Sequence, residues 1–172
     1  MTDDPEPTAD GAIAGLSRSD PLAAVSPLDG RYAGRTAPLS PYASEAALMR
    51  ARTRVEVEYL LALGSLSATP IGFDEATAAA LREVYEGFDA EDARLIKELE
   101  TEGAAGYDAT NHDVKAVEYF LRVRLAELAG AGERGPDEAS DAPLDDAESL
   151  YPWIHFGLTS EDVNNLAQRL LL

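Results

Sequence analysis

The sequence predicts an all-α protein. Apolar residues recur at spacings of three and four along several segments, good capping residues stand in front of them, and no alternating stretch of useful strand length is present.

Leu22 to Pro41 carries Pro27, Gly30, Gly34, Pro38 and Pro41, a density of turn residues that predicts an extended surface loop. The helical pattern begins at Ser44 and runs to Leu66, with Ala47, Met49, Val55, Tyr59, Leu60 and Leu63 forming an apolar stripe. Arg50, Arg52, Arg54, Glu56 and Glu58 flank that stripe. Gly64 and Pro70 supply its stop. A second helix is expected from the N-cap Asp74, through Leu81 and Val84, to about Glu86. A third follows from about Asp89, through Ile96 and Leu99, to the break at Gly103 and Gly106. The clearest pattern is Val114, Val117, Leu121, Leu125 and Leu128, which predicts a core-facing helix from Asp113 to Leu128. Between Gly130 and Asp146 the chain is Gly, Pro, Asp, Glu, Ser and Ala with almost no large apolar residue, a solvated surface loop. Tyr151, Trp153, Ile154 and Phe156 restore apolar character before a last helix opens near Thr159. Leu166, Leu170, Leu171 and Leu172 leave an apolar stripe with no capping residue behind it. The expectation is a helix that has lost its continuation, the alternative being leucines docked on the domain's own core.

Length and composition suit one domain: 172 residues with 45% hydrophobic content can bury a core. The charge is unusual, because 32 acidic residues against 14 basic ones give a formal net charge of -18. Nucleic-acid phosphates and anionic membrane surfaces reward clustered Lys and Arg, so neither is an expected partner. Acidity dispersed along the whole chain, with few lysines, fits a protein kept soluble at high salt, as in a halophile. There is no cysteine, hence no disulfide, thiol nucleophile or thiolate metal site, and only His112 and His155 offer imidazole chemistry. Residues 1–21 lack a basic region followed by an apolar one and read as a disordered acidic leader in the cytoplasm. No apolar run approaches the roughly 18 residues of a membrane span.

Three polar constellations stand out. In Ser26-Pro27-Leu28-Asp29-Gly30-Arg31-Tyr32 a turn delivers a guanidinium and a phenol side by side, a pair suited to phosphate or carboxylate; alone it is also an ordinary surface turn. Thr110-Asn111-His112-Asp113 opens the clearest helix, where Thr110 and Asp113 have the form of a capping box. Capping explains these residues by itself, yet a helix start also attracts anions, and His112 there adds a donor or a proton. Lys97 and Lys115 are close in sequence and would add positive charge, unless they are simply solvated. Thr159-Ser160-Glu161-Asp162 repeats the design, with His155, inside an apolar run, read as a satisfied core histidine.

Taken in order, SPLDGRY (26–32), TNHDVKAVEYF (110–120) and IHFGLTSEDVNNL (154–166) resemble successive motifs of bacterial-type adenylosuccinate lyases, within the fumarase/aspartase superfamily. The resemblance covers about Leu22 to Leu172. It implies that residues 22–172 form the N-terminal helical domain of that lyase fold with the start of its central helical region, truncated at the C-terminal end. The implied activity is β-elimination of fumarate from adenylosuccinate and from succinyl-aminoimidazole carboxamide ribotide in purine synthesis. It implies further that Arg31 and Tyr32 bind the nucleotide's anionic end, that Asn111, His112 and Asp113 line the substrate site, and that Thr159 and Ser160 hold a succinyl carboxylate. Neither metal nor organic cofactor is expected, the ligands are adenylosuccinate, fumarate and AMP, and the full-length protein is expected to be a homotetramer. The family's acid histidine and base serine belong to later segments, so no catalytic residue is expected in this chain, and this chain alone is expected to be inactive. Residues 101–108 and 130–146 are longer than the usual pattern. Another lyase of the superfamily, such as one acting on argininosuccinate, and a non-catalytic acidic helical interaction domain are the alternative readings.

Overall fold

The computed structural model describes residues 21–130, Leu144 and residues 146–172. The expected leader, apart from Pro21, and most of the 130–146 loop lie outside the described residues. Every regular element among those described is helical, and one isolated bridge joins Ala104 to Tyr107. The all-α expectation is borne out.

The chain divides at Ser40/Pro41. In the first unit the predicted extended loop is instead a run of tight helical turns. A 3-10 turn at Pro21–Ala23 precedes the Ser26–Tyr32 turn, where the amides of Asp29 and Gly30 donate to Ser26 O at 3.1 and 3.2 Å. Helix α1 (Ala33–Thr36) and a 3-10 turn at Ala37–Leu39 follow. The physical reason is that proline fixes φ near the helical value, so Pro38 in the first turn of a 3-10 segment supports the coil that its density suggested it would break.

Helix α2 (Ser40–Ala43) leads to α3 (Glu45–Gly64), which is capped by Ser44 accepting from the Ala47 amide. Helix α4 (Glu75–Glu86) starts under an Asp74 cap and α5 (Ala90–Thr101) under a full capping box of Asp89 and Asp92. Helix α6 spans Asp113–Leu128, as its spacing predicts, and a 3-10 segment at Glu148–Trp153 leads to α7 (Ser160–Leu171). Helix α3 is the hub of this second unit, packing against α4, α5, α6 and α7.

The core has three centres, one each where α4, α5 and α7 meet α3 and α6. Met49, Ile96, Leu99, Val117 and Phe120 fill the space between α3, α5 and α6. Val57, Leu81, Leu121 and Leu150 belong to a second cluster, and Val55, Val114, Val163 and Ala167 close α3 and α6 onto α7. Leu171 packs against this last cluster, whereas Leu166 and Leu170 are 55% and 46% exposed.

Gly103 ends the α5 region with φ at +89°, and a Cβ there would meet Tyr107 O at 2.7 Å. Only glycine fits this left-handed turn, through which the chain doubles back over 103–107 and brings Thr110 and Asn111 beside the end of α5.

Phe120 is fully buried, so Phe120→Ala should cost about 3–5 kcal/mol, whereas Leu66→Ala at a half-exposed position should stay within about 0.5 kcal/mol. Urea denaturation of the two variants checks both. With a net charge of -18, the chain should also unfold at lower urea in dilute buffer than in about 1 M salt, where the screening length falls to about 3 Å. Circular-dichroism melts across a salt series read this directly.

Candidate functional site

Two helix starts meet on one side of the second unit. The start of α6 carries Asn111, His112 and Asp113; the start of α7 carries Thr159 and Ser160. They come together at His112 Nε2 and Ser160 Oγ, 3.5 Å apart, the outer limit of a hydrogen bond.

The loop before α6 is tied to the end of α5. The amides of Thr110 and Asn111 donate to Leu99 O and Glu100 O, each at 2.9 Å. Asn111 then adopts φ +49°, a left-handed conformation that Asn tolerates better than most residues. His112, rather than Thr110, is the N-cap: its Nδ1 accepts from the Lys115 amide at 3.3 Å. The predicted Thr110/Asp113 capping box does not form, because Thr110 Oγ1 is spent on its own turn, donating to His112 O and accepting from the His112 amide. The displacement has a chemical consequence. With Nδ1 as acceptor, a neutral His112 ring carries its proton on Nε2, and that N–H is aimed toward Ser160.

Asp113 ties the helix start to α3, with its Oδ1 also 3.6 Å from His112 Nδ1. Its Oδ1 accepts from the Val114 amide at 2.8 Å, and its Oδ2 receives Arg52 Nη2 at 2.6 Å. Partial burial works against its charge, but the Val114 amide, Arg52 and His112 outweigh it and hold the carboxyl below the usual aspartate value.

At α7 the predicted capping box forms in full. Thr159 Oγ1 accepts from the Asp162 amide at 3.3 Å, while the Thr159 amide and hydroxyl both donate to Asp162 Oδ2 at 2.7 Å. Backbone hydrogen bonding from Thr159, reinforced by its hydroxyl, lowers the Asp162 carboxyl's pKa. Thr159 is therefore committed to the cap, and Ser160 is the hydroxyl turned to His112.

The approach to α7 is braced from α3. Tyr59 Oη donates to Phe156 O at 2.9 Å, and His155 Nδ1 lies 2.6 Å from Glu56 Oε1. His155 itself is left-handed at φ +59°, followed by Gly157 at +74°, and these two residues reverse the chain into α7. His155 is thus a partnered, half-buried histidine, as its apolar setting predicts. Glu56 is 1% exposed, and its Oε2 has no hydrogen-bond partner among the described residues. Burial pushes its carboxyl up, the His155 bond and charge pull it back, and the charge of Glu118 adds to the upward push.

Sequence reasoning missed Arg52, Glu56 and Asn164. Arg52 and Glu56 stand among the polar flanks of α3 in the sequence, yet they are 7% and 1% exposed. The available signal was their spacing. Met49, Arg52, Thr53, Glu56, Val57 and Leu60 follow a three-and-four pattern, and two charges within such a stripe imply buried partners. Arg52 Nε donates to Asn164 Oδ1 at 2.8 Å, so one guanidinium holds both α6 and α7.

The two lysines proposed as extra positive charge are engaged elsewhere. Lys97 pairs with Glu45 and Glu100, each at 3.0 Å, and Lys115 with Glu118 at 2.6 Å. In the first unit the guanidinium carbons of Arg31 and Arg35 lie 5.4 and 5.7 Å from the Tyr32 ring centroid, stacking geometry that leaves the Arg31 fork exposed. Among the described residues no three of His, Cys, Asp or Glu are grouped as metal ligands, and no helix is long and apolar enough to cross a membrane.

No protein-family model matches the chain. Curated relatives do. Adenylosuccinate lyase of Dictyostelium discoideum is 40% identical over 149 residues, covering 85% of this chain. The adenylosuccinate lyases of Legionella pneumophila (strain Corby) and Escherichia coli (strain K12) are each 36% identical over 153 and 160 residues, covering 88% of it. The chain is homologous to part of adenylosuccinate lyase. It spans 27–28% of the length of these adenylosuccinate lyases. The family resemblance carried by the three motifs is borne out, and the helical fold agrees with the helical domain expected of such a lyase.

Because the folded pKa of Asp113 lies below its unfolded value near 3.8, its charge stabilises the fold above that pH and the contribution is lost as pH falls through the lower folded value. Asp113→Asn should therefore lower the urea midpoint at neutral pH, and the gap to wild type should close below about pH 4. Denaturation curves at neutral and acid pH would show it.

Proposed function

We propose that this chain is the N-terminal, substrate-binding part of an adenylosuccinate lyase, which eliminates fumarate from adenylosuccinate and from succinyl-aminoimidazole carboxamide ribotide. The observation that carries the reading is the approach of His112 Nε2 to Ser160 Oγ at 3.5 Å, made by the two motifs that the lyase resemblance singled out independently.

The chemistry fits the geometry. Elimination removes a proton from the succinyl carbon next to a carboxylate, shifts that electron pair into the new C=C bond of fumarate, and breaks the C–N bond, the leaving nitrogen (the purine amine or the imidazole carboxamide) taking up a proton. Negative charge builds on the carboxylate as the proton leaves, so the site needs donors placed in advance around it. Ser160 Oγ and the first amides of α7 suit that carboxylate, with Thr159 holding the helix start in shape. His112 Nε2–H offers a neighbouring donor, while Asn111 and Asp113 frame it. Arg31 and Tyr32 suit the nucleotide phosphate, Arg through its planar fork. The groups that exchange protons with the substrate are assigned to other parts of the lyase, and no residue of this chain is given that role.

The whole protein is proposed to work without a metal or organic cofactor, as a homotetramer in the cytoplasm, on purine-nucleotide substrates. Its acidity, at a net charge of -18, supports a habitat of high salt.

The test is fumarate release from adenylosuccinate by the full protein that carries this sequence, with argininosuccinate as the competing substrate. Adenylosuccinate should turn over and argininosuccinate should not. His112→Ala and Ser160→Ala should each lower kcat/KM by about 10- to 100-fold, the loss of one hydrogen bond to a charged group. Unchanged kinetics in both variants would reduce the motifs to helix caps. Robust turnover by residues 1–172 alone would overturn the assignment of the acid and base elsewhere.

A further inference from the structure

We infer that Arg52 is a positioning residue: its buried guanidinium sets the separation of two helix starts so that His112 and Ser160 can act on one ligand. The inference rests on the proposed placement of His112 and Ser160 in the substrate site.

Arg52 touches neither residue. Its Nη2 donates to Oδ2 of Asp113, the residue after His112, at 2.6 Å, and its Nε donates to Oδ1 of Asn164 at 2.8 Å. Asn164 lies four residues beyond Ser160 and so shares its face of α7. The guanidinium is therefore bonded one residue along from His112 and one helical turn along from Ser160, on two helices that both pack on α3. Its side chain is only 8% exposed.

The choice of arginine follows from direction. Apolar side chains such as Val55, Val114 and Val163 hold α3, α6 and α7 together without fixing how far one helix slides along another. Two hydrogen bonds from a rigid planar fork do fix it, in distance and in angle. Lysine, a point charge on a flexible stem, can neutralise Asp113 but cannot hold both partners in one plane. An apolar residue of similar size can fill the volume and fix neither. The one carboxylate balances the charge, and the neutral amide of Asn164 adds geometry without a second charge.

Two readouts test this in the full protein, which keeps every contact of the site. The first is kinetic. Arg52→Lys should lower kcat/KM for adenylosuccinate about tenfold and Asn164→Ala, which leaves the buried pair intact, about fivefold. In a His112→Ala background, Arg52→Lys should add less than about a twofold loss, because its effect runs through His112 and its neighbour. A full multiplicative loss in that background, with melting temperatures unchanged, would overturn the inference. The second readout is independent of activity. A His112→Cys/Ser160→Cys pair, made in the full protein with any cysteine outside residues 1–172 replaced by serine, reports the gap by its rate of disulfide formation under mild oxidation. Adding Arg52→Lys or Asn164→Ala should slow that rate about fivefold or more, since cross-linking depends steeply on geometry. An unchanged rate in both would sink the positioning role even if the lyase turns over normally. A slowed rate, together with no fumarate release from adenylosuccinate by the unsubstituted full protein, would leave Arg52 as the spacer of the two helices and remove the lyase reading instead.

Discussion

A guanidinium buried in the middle of α3 joins the first turn of α6 to the second turn of α7, and the candidate site exists in the form described because of that junction. Arg52 reaches Asp113 and Asn164 with two directional bonds, and removing water from a charge is tolerable here only because a carboxylate and an amide oxygen replace it. Asp113 gains in return. Its carboxyl stays ionised below the usual range, fixed by Arg52 and the Val114 amide together, so the residue that follows His112 is held at both ends.

The same helix braces the approach to α7 through Glu56 and Tyr59. His155 and Gly157 adopt left-handed backbone conformations, which for a histidine costs of order 1–2 kcal/mol. Glu56 holds the His155 ring and Tyr59 holds the Phe156 carbonyl, so the unfavourable turn is fastened at two consecutive residues. Left-handed residues also precede α6, at Asn111, where the backbone is tied to the end of α5. Strained backbone persists only when its surroundings over-determine it. Here both strained turns lead directly into the helix starts that carry His112 and Ser160.

Much of the fold was legible because its signals are local. The limits of α4, α5 and α6 follow from Asp74, Asp89 and the spacing of Val114 to Leu128, since a cap or an apolar period acts within a few residues. The cap at Thr159 was legible for the same reason. Residues 22–41 were not, because proline breaks an α-helix but suits a 3-10 turn, and sequence density alone does not separate the two. Thr110 was misread as a cap because Asn111 can turn left-handed, which moves the helix start to His112.

By itself, then, the sequence determined an all-α fold, the helices and most of their limits, the acidic surface, and the three motifs whose order points to the lyase relatives. Local propensity, capping chemistry and periodicity are properties of neighbouring residues, so they can be read along the chain. What only the tertiary structure decided is which polar residues lie inside. Arg52 and Glu56 look like solvated flanks of an amphipathic helix until α6 and α7 cover them, because α3 is packed on several sides rather than one. Partners separated by 61, 99 and 112 positions, Asp113 for Arg52, His155 for Glu56 and Asn164 for Arg52, are set by packing at a distance, and no local pattern encodes them.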